Sequence, residues 1–175
     1  MKNFTKYIFI DCGFHKGEST NKFKLSPAYY MKDWYIYAFE PNPNLQTPDF
    51  VDKRAVWVDD KGIDFFEAKL SESSTVFSNK TTGGVSDIPI KVPSVDFSKW
   101  LLENFSYTDF IVLHMNIEGA EYKVLNKMLN DGSICLIKFL YLEFHNTKIG
   151  LSVECDRVLL NKIRLADIPV VESSI

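Results

Sequence analysis

The stretch IFIDCGFHKGES, residues 8 to 19, decides which fold the rest of the chain must form. An apolar run ends in Asp11, and the chain then passes Gly13 and Gly17 before a polar segment. The apolar run predicts a buried strand over residues 7–10. The two glycines predict a turn in which the backbone approaches a ligand closely before a helix begins near Gly17. The sequence therefore predicts a cofactor-binding turn at the end of a first strand.

A second apolar run, YIYAFEPNP at residues 35–43, ends in a single carboxylate, Glu40. The first two parallel strands of a doubly wound sheet lie side by side. An acidic residue about 20 residues beyond the glycine turn therefore lies where a ribose diol binds. We expect a nucleoside cofactor with its ribose at Glu40.

Two nucleoside cofactors suit this geometry, a dinucleotide and S-adenosylmethionine. A dinucleotide requires Gly-x-Gly-x-x-Gly, but His15 stands at the middle glycine position, and Glu18 places negative charge where a pyrophosphate would bind. S-adenosylmethionine has no phosphate and carries a cationic sulfonium, so these residues favour it. Complementing the helix dipole would also explain Glu18 by itself. An NAD-dependent oxidoreductase rests on fold analogy alone.

Composition sets the broad class of the protein. The 175 residues, 46% hydrophobic and 25% charged, predict one globular domain over residues 1–175. A formal charge of −3 provides no broad basic field, which disfavours binding to nucleic acid or to acidic membranes. Three cysteines imply no disulfide framework. Because the chain also shows no signal peptide and no membrane-spanning apolar run, we expect a cytoplasmic protein.

The alternation of strand and helix patterns predicts an α/β fold, a Rossmann-like doubly wound sheet that is mainly parallel and covered on both faces. The predicted strands cover residues 7–10, 35–39, 54–58, 63–67, 88–92, 110–115, 137–144 and 169–171. The predicted helices begin near Gly17, with a break at residues 26–27, and cover residues 96–104, 118–129 and 153–165.

Three segments carry more specific expectations. A turn at residues 60–62 predicts that residues 54–58 and 63–67 form an antiparallel hairpin at the sheet edge. The polar residues 71–87 predict a long loop, which is either a lid or binding segment or simply surface disorder. The short last strand predicts a reduced C-terminal hairpin, which leaves either a compact sheet or an open edge that a second copy of the chain completes.

The residues that follow each parallel strand are expected to meet at one edge of the sheet. They comprise residues 11–17 after the first strand, Glu40 after the second, residues 114–121 (HMNIEGAE), and residues 143–145 (EFH). All three histidines and several carboxylates are therefore expected to converge in a single crevice.

Read in order, the segments IDCGFHKGES, FEPNP, the AV of KRAVWV, VDFSKWL, HMNIEGAEYKVL and LEFH resemble the FkbM family of S-adenosylmethionine-dependent methyltransferases. The resemblance covers residues 7–146, and FEPNP with IEGAEYKVL is its most specific part. It implies the class I methyltransferase fold, S-adenosylmethionine as cofactor, and methyl transfer to a hydroxyl of a sugar or secondary metabolite. The cofactor-binding residues that it implies are Asp11, Gly13 and Gly17 at the methionyl part with His15 nearby, Glu40 at the ribose, and Pro41, Ala55 and Val56 near the adenine.

The catalytic residues are less regular than the cofactor residues. The family usually has aspartate where this chain has Asn116, and often lysine where it has His114. An asparagine cannot act as a base, so we expect Asn116 to position the acceptor or the sulfonium through its carbonyl. His145 closes a strand and titrates near neutral pH, which makes it the predicted base, with a structural hydrogen bond or metal ligation as alternatives. Glu118 is expected to orient the substrate or to cap the following helix.

The leading functional hypothesis is therefore an O-methyltransferase that acts on a hydroxyl of a small molecule or glycan. The alternative is a catalytically reduced module that binds S-adenosylmethionine or a partner, which Asn116 and the short C-terminal region favour. A metal-assisted variant would gather Glu118, Glu143 and His145 around Mg²⁺. Since no pair of these residues has the spacing of a ligand motif, we expect no metal.

Overall fold

The structure is a computed structural model that describes residues 4–172. Its strands are β1 (Tyr7–Cys12), β2 (Trp34–Phe39), β3 (Val51–Asp52), β4 (Ala55–Trp57), β5 (Ile63–Phe65), β6 (Ile90–Val92), β7 (Ser94–Asp96), β8 (Phe110–Met115), β9 (Ile137–Leu142) and β10 (Val170–Val171). Its α-helices are α1 (Glu18–Lys24), α2 (Pro27–Tyr30), α3 (Phe97–Asn104), α4 (Glu121–Asp131) and α5 (Val153–Leu165).

The central sheet has six strands in the order β10-β9-β8-β1-β2-β3, and every neighbouring pair is parallel. Asp11 of β1 lies opposite Ala38 of β2 and opposite His114 of β8. The strand order reverses between β1 and β8, and sheets of this kind bind ligands beyond the carboxyl ends of the strands at that point. The predicted α/β fold with a mainly parallel sheet is confirmed.

Alternating residues of β1 pack into apolar layers on opposite faces of the sheet. Ile8 and Ile10 belong to the larger cluster, which includes residues of α3, α4 and α5. Phe9 packs on the other face against Phe23 of α1, with ring centroids 4.0 Å apart. Burial on both faces explains why β1 is continuously apolar in sequence. In the described part of the chain, no helix combines the length and apolar character needed to cross a membrane.

The predicted hairpin of residues 54–58 and 63–67 is wrong. Strand β4 instead pairs in parallel with β7, and β5 pairs antiparallel with β6. Ala55, Phe65 and Val92 bury their side chains in a common cluster. Packing against residues 90–96, far along the chain, decides both pairings, and a local turn signal carries no information about so distant a partner.

The predicted start of helix α4 at Glu118 is also wrong, because the helix begins at Glu121. Glu118 and Gly119 both have left-handed backbone, with φ of +53° and +112°, which the helix cannot contain. The Glu121 carboxylate accepts the backbone N–H groups of Ile117 and Gly119, each at 2.8 Å. Glu121 therefore satisfies the amides ahead of the helix, and the Glu118 side chain has no capping bond.

Alanine substitutions at Gly13 and Gly132 test how closely the chain packs at the end of β1. Gly13 and Gly132 both have left-handed backbone, with φ of +91° and +81°. A Cβ on Gly13 would lie 1.8 Å from the carbonyl oxygen of Asn116, whereas nothing lies within 4 Å of a Cβ on Gly132. We expect Gly132→Ala to lower the free energy of unfolding by about 1 kcal/mol through backbone strain. Gly13→Ala should lower it by roughly 2 kcal/mol more because of overpacking. Urea unfolding measures both values, and equal losses would contradict the close approach.

Candidate active site

A cavity of about 470 Å³ opens beyond the carboxyl ends of the central strands. The predicted site residues that line it are Gly13, His15, Glu40, Pro41, Ala55, Val56, Asn116 and Glu118. Three other predicted residues, Asp11, Gly17 and His145, are not part of the lining. Residues of the 71–87 loop, among them Ser71, Ser74 and Thr75, form a further wall. The fold thus brings most of the predicted residues together around one space.

The glycine turn is held against the end of β2. The backbone N–H groups of Gly13 and Phe14 both donate to the carbonyl oxygen of Phe39, at 3.1 and 3.0 Å. The Phe14 ring packs on Gly17, where a Cβ would come within 2.6 Å of the ring. Gly17 therefore makes room for Phe14 and starts helix α1, while Gly13 lies at the cavity itself.

Asp11 is connected to the cavity by hydrogen bonds through other side chains. It is fully buried, and it accepts hydrogen bonds from Thr20 Oγ1 at 2.6 Å and from His114 Nδ1 at 2.8 Å. A carboxylate only accepts, so in the neutral imidazole Nδ1 donates to Asp11 and Nε2 accepts from the Ser19 hydroxyl at 3.3 Å. Ser19 lines the cavity. Asp11 is thus linked to the cavity by the chain Asp11, His114 and Ser19.

Glu40 joins the end of β2 to the glycine turn. Its two carboxylate oxygens accept the backbone N–H groups of His15 and Asn42, each at 2.9 Å. Burial raises the pKa of Glu40, and these two hydrogen bonds oppose that rise. His15 also reaches across the cavity, with Nε2 2.9 Å from the Ser71 hydroxyl. Each oxygen of Glu40 retains acceptor capacity, because a carboxylate oxygen can accept more than one hydrogen bond.

Glu118 lies in a cluster of buried charges. Its carboxylate contacts Lys80 Nζ, His145 Nε2 at 3.1 Å and Lys148 Nζ at 3.4 Å. Burial raises the pKa of Glu118, but the interactions with His145 and Lys80 outweigh it and lower the pKa to about 2. Glu118 is therefore ionised and firmly held. Its predicted role in orienting a substrate stays a prediction.

His145 is buried between carboxylates. Its Nδ1 lies 3.0 Å from Glu121 Oε1, and its Nε2 faces Glu118. Burial alone would lower the pKa of His145, but the interactions with Glu118 and Glu121 raise it to about 9. The ring is therefore an imidazolium at neutral pH. The base role predicted for His145 stays a prediction, and it requires that this proton be lost first.

Asn116 lies at the end of β8 and faces Glu143. Its backbone N–H donates to the carbonyl oxygen of Cys12 at 3.0 Å, which ties β8 to β1. Its side-chain Nδ2 donates to Glu143 Oε2 at 2.9 Å. This hydrogen bond uses one of the two N–H groups of the amide, so the amide oxygen and the second N–H are the groups that Asn116 can offer to a bound molecule.

Comparison with known protein families agrees with this geometry. A family model described as the methyltransferase FkbM domain matches residues 11–161, from the glycine turn to helix α5. The chain belongs to the FkbM methyltransferase family. Its parallel sheet, with helices on both faces, is the Rossmann-like architecture of class I methyltransferases. No curated protein and no solved structure matches the chain.

The three residues of the metal-assisted alternative, Glu118, Glu143 and His145, lie near one another. His145 Nε2 lies near Glu118 and Glu143, at 3.1 and 3.7 Å. However, the ammonium groups of Lys80 and Lys148 already balance the Glu118 carboxylate. Within residues 4–172, no three His, Cys, Asp or Glu side chains are arranged to hold a metal ion.

Sequence reasoning missed Ser19 and Thr75, which line the cavity, and Lys80, which contacts the lining residue Glu118. Lys80 lies in a polar loop, where a lysine normally faces solvent, so no pattern marks it as buried. Thr75 Oγ1 donates to the carbonyl oxygen of Glu118 at 2.8 Å, and it too lies in that loop. Ser19 follows Gly17 by two residues on the helix beside the predicted turn. Its proximity to that turn was the one available signal.

The charge cluster of the FkbM domain makes its stability depend on pH. The folded-state pKa of His145, about 9, lies above the ordinary value of 6.5. Protonated His145 therefore stabilises the folded state by about 3 kcal/mol. This contribution is complete below pH 6.5 and is lost as the pH rises from 6.5 to about 9. We expect the free energy of unfolding in urea to fall more between about pH 6 and about pH 9.5 in the wild type than in His145→Gln. Equal pH dependence in both proteins would contradict the cluster.

Proposed function

We propose that this protein transfers a methyl group from S-adenosylmethionine to a hydroxyl group of a sugar or another small metabolite. The position of Glu40 is the main support for this proposal. It is a buried carboxylate at the end of β2 that lines the cavity beside Pro41, Ala55 and Val56. This is the position from which a carboxylate binds a ribose diol, with apolar contacts available for a base.

The residues of the glycine turn support S-adenosylmethionine rather than a dinucleotide. Glu18 and Glu40 line the cavity, and Lys16 and Lys22 line it as well. His15 takes the left-handed backbone conformation in the loop, with φ of +49°, at the place where a dinucleotide fingerprint has glycine. The Glu18 and Glu40 carboxylates would attract a molecule that carries an ammonium and a sulfonium.

For this reaction the protein has mainly to hold the cofactor and the acceptor in line. When bound, S-adenosylmethionine supplies a methyl group on a cationic sulfur, which an acceptor oxygen can attack. Glu40 would hold the ribose, and the glycine turn at Gly13 would accommodate the methionyl part. The amide oxygen of Asn116 would orient the acceptor, and Ser71 and Ser74 of the loop wall offer hydroxyl groups to it. Proximity and orientation of this kind supply much of the rate in two-substrate reactions.

A module that binds S-adenosylmethionine without turnover is the second candidate, and Asn116 favours it because an amide cannot take up a proton. Incubation with S-adenosylmethionine and the methyl glycosides of glucose, mannose, galactose and rhamnose separates the two. Formation of S-adenosylhomocysteine that depends on a glycoside supports the transferase. Calorimetric binding of S-adenosylmethionine without turnover supports the module, and absence of binding contradicts both.

Cofactor binding itself is tested at Glu40. A hydrogen bond from a ribose hydroxyl to a carboxylate contributes about 1.5–3 kcal/mol, so we expect Glu40→Ala to raise the Kd for S-adenosylmethionine roughly 10- to 150-fold in calorimetry. Glu103→Ala is the matched control, because that carboxylate is on helix α3, is 61% exposed and lies away from the cavity. An unchanged Kd in Glu40→Ala would contradict the ribose placement.

A further inference from the structure

The carboxylates at the Asn116 end of the cavity differ in how many hydrogen bonds and ion pairs they make with the rest of the protein. Three cationic side chains surround the Glu118 carboxylate. Glu121 is fully buried and accepts two backbone N–H groups and the His145 ring. The protein's own donors therefore hold both carboxylates around the IEGAE turn.

Glu143 is different, because it lines the cavity and only its Oε2 makes a hydrogen bond to another described side chain. It directly follows β9, and its side chain is 39% exposed. Its backbone N–H donates to the carbonyl oxygen of Met115 at 3.1 Å, and its Oε2 accepts from Asn116 Nδ2 at 2.9 Å. Its Oε1 lies 3.7 Å from His145 Nε2, which is too long for a hydrogen bond. Glu143 is thus anchored at one oxygen and open at the other.

The other polar side chains nearby suit proton removal less well. The Asn116 amide has no basic atom. His145 keeps its proton up to its pKa of about 9, so near neutral pH it has no lone pair to offer. His114 Nε2 faces the Ser19 hydroxyl at 3.3 Å, on the side of the cavity next to Asp11. Glu143 Oε1 is the acceptor that remains at the end of β8 and β9.

We propose that Glu143 is the catalytic residue that removes the proton of the acceptor hydroxyl, an inference that rests on the proposed methyl transfer. As the acceptor oxygen forms its bond to the methyl carbon, the carbon–sulfur bond breaks and its electron pair goes to the sulfur, which becomes neutral. The hydroxyl proton passes to Glu143 Oε1 and is released to water after the products leave. Asn116 is a positioning residue, because its hydrogen bond to Oε2 holds the other oxygen toward the cavity.

Glu143→Gln tests this role, since glutamine keeps an oxygen for Asn116 but cannot accept the proton. With the glycoside that gives the highest wild-type turnover, we expect kcat to fall roughly 100-fold or more, as for loss of a general base. The KM for the glycoside and the calorimetric Kd for S-adenosylmethionine should stay within about twofold of wild type, which also shows that the variant is folded. Glu143→Asp should recover part of kcat, and Glu103→Gln is the control that leaves all values unchanged.

The outcomes separate this inference from the function on which it rests. A wild type that binds S-adenosylmethionine but forms no S-adenosylhomocysteine with any glycoside overturns both. Wild-type turnover with Glu143→Gln within about threefold in kcat overturns the role of Glu143 alone. A wild-type kcat that rises through pH 9, where His145 loses its proton, also overturns it and assigns the base to His145.

Discussion

The backbone hydrogen bonds that join the carboxyl ends of the central strands are the constraint on which the whole site depends. They run from Gly13 to Phe39, from Asn116 to Cys12 and from Glu143 to Met115, at 3.0–3.1 Å. Each hydrogen bond contributes only about 1 kcal/mol to stability. Together they fix where the ends of the four strands lie relative to one another, and so where the following loops begin. Residues that are far apart in the chain therefore face one cavity at fixed separations. Catalysis by proximity and orientation requires such fixed separations.

A second constraint follows from burying charge at the same edge. Glu118, Glu121, His145 and Lys80 are all nearly inaccessible to water, and isolated charges in that environment would cost several kcal/mol each. The structure offsets this cost by pairing them with one another. Because Lys80 belongs to the 71–87 loop, the ion pair also fastens that loop to the turn before helix α4. The loop is consequently a built wall of the cavity, with Thr75 as a second attachment.

These two constraints divide the cavity into ends with different chemistry. At the β2 end, Glu40 is held by backbone amides and presents a carboxylate in a rigid frame, as a binding site for a diol needs. At the β8 and β9 end, an amide, an imidazolium and an open carboxylate lie within a few ångströms of one another. Asn116 donates a hydrogen bond to Glu143, whereas an aspartate at this position would place two carboxylates against each other.

Local patterns in the sequence determined the parallel sheet, the glycine turn at Gly13 and the acidic residue at Glu40, because strand periodicity and loop lengths depend on near neighbours. The sequence also placed Asn116 and His145 at strand ends, and the sheet brought both to the same edge. Only the tertiary structure decided that β4 and β5 pair with distant strands, that Glu121 and not Glu118 satisfies the helix amides, and that Lys80 is buried. Each of these depends on contacts between residues far apart in the chain. Burial and charge pairing of this kind leave no periodic trace, since they arise only when remote segments meet.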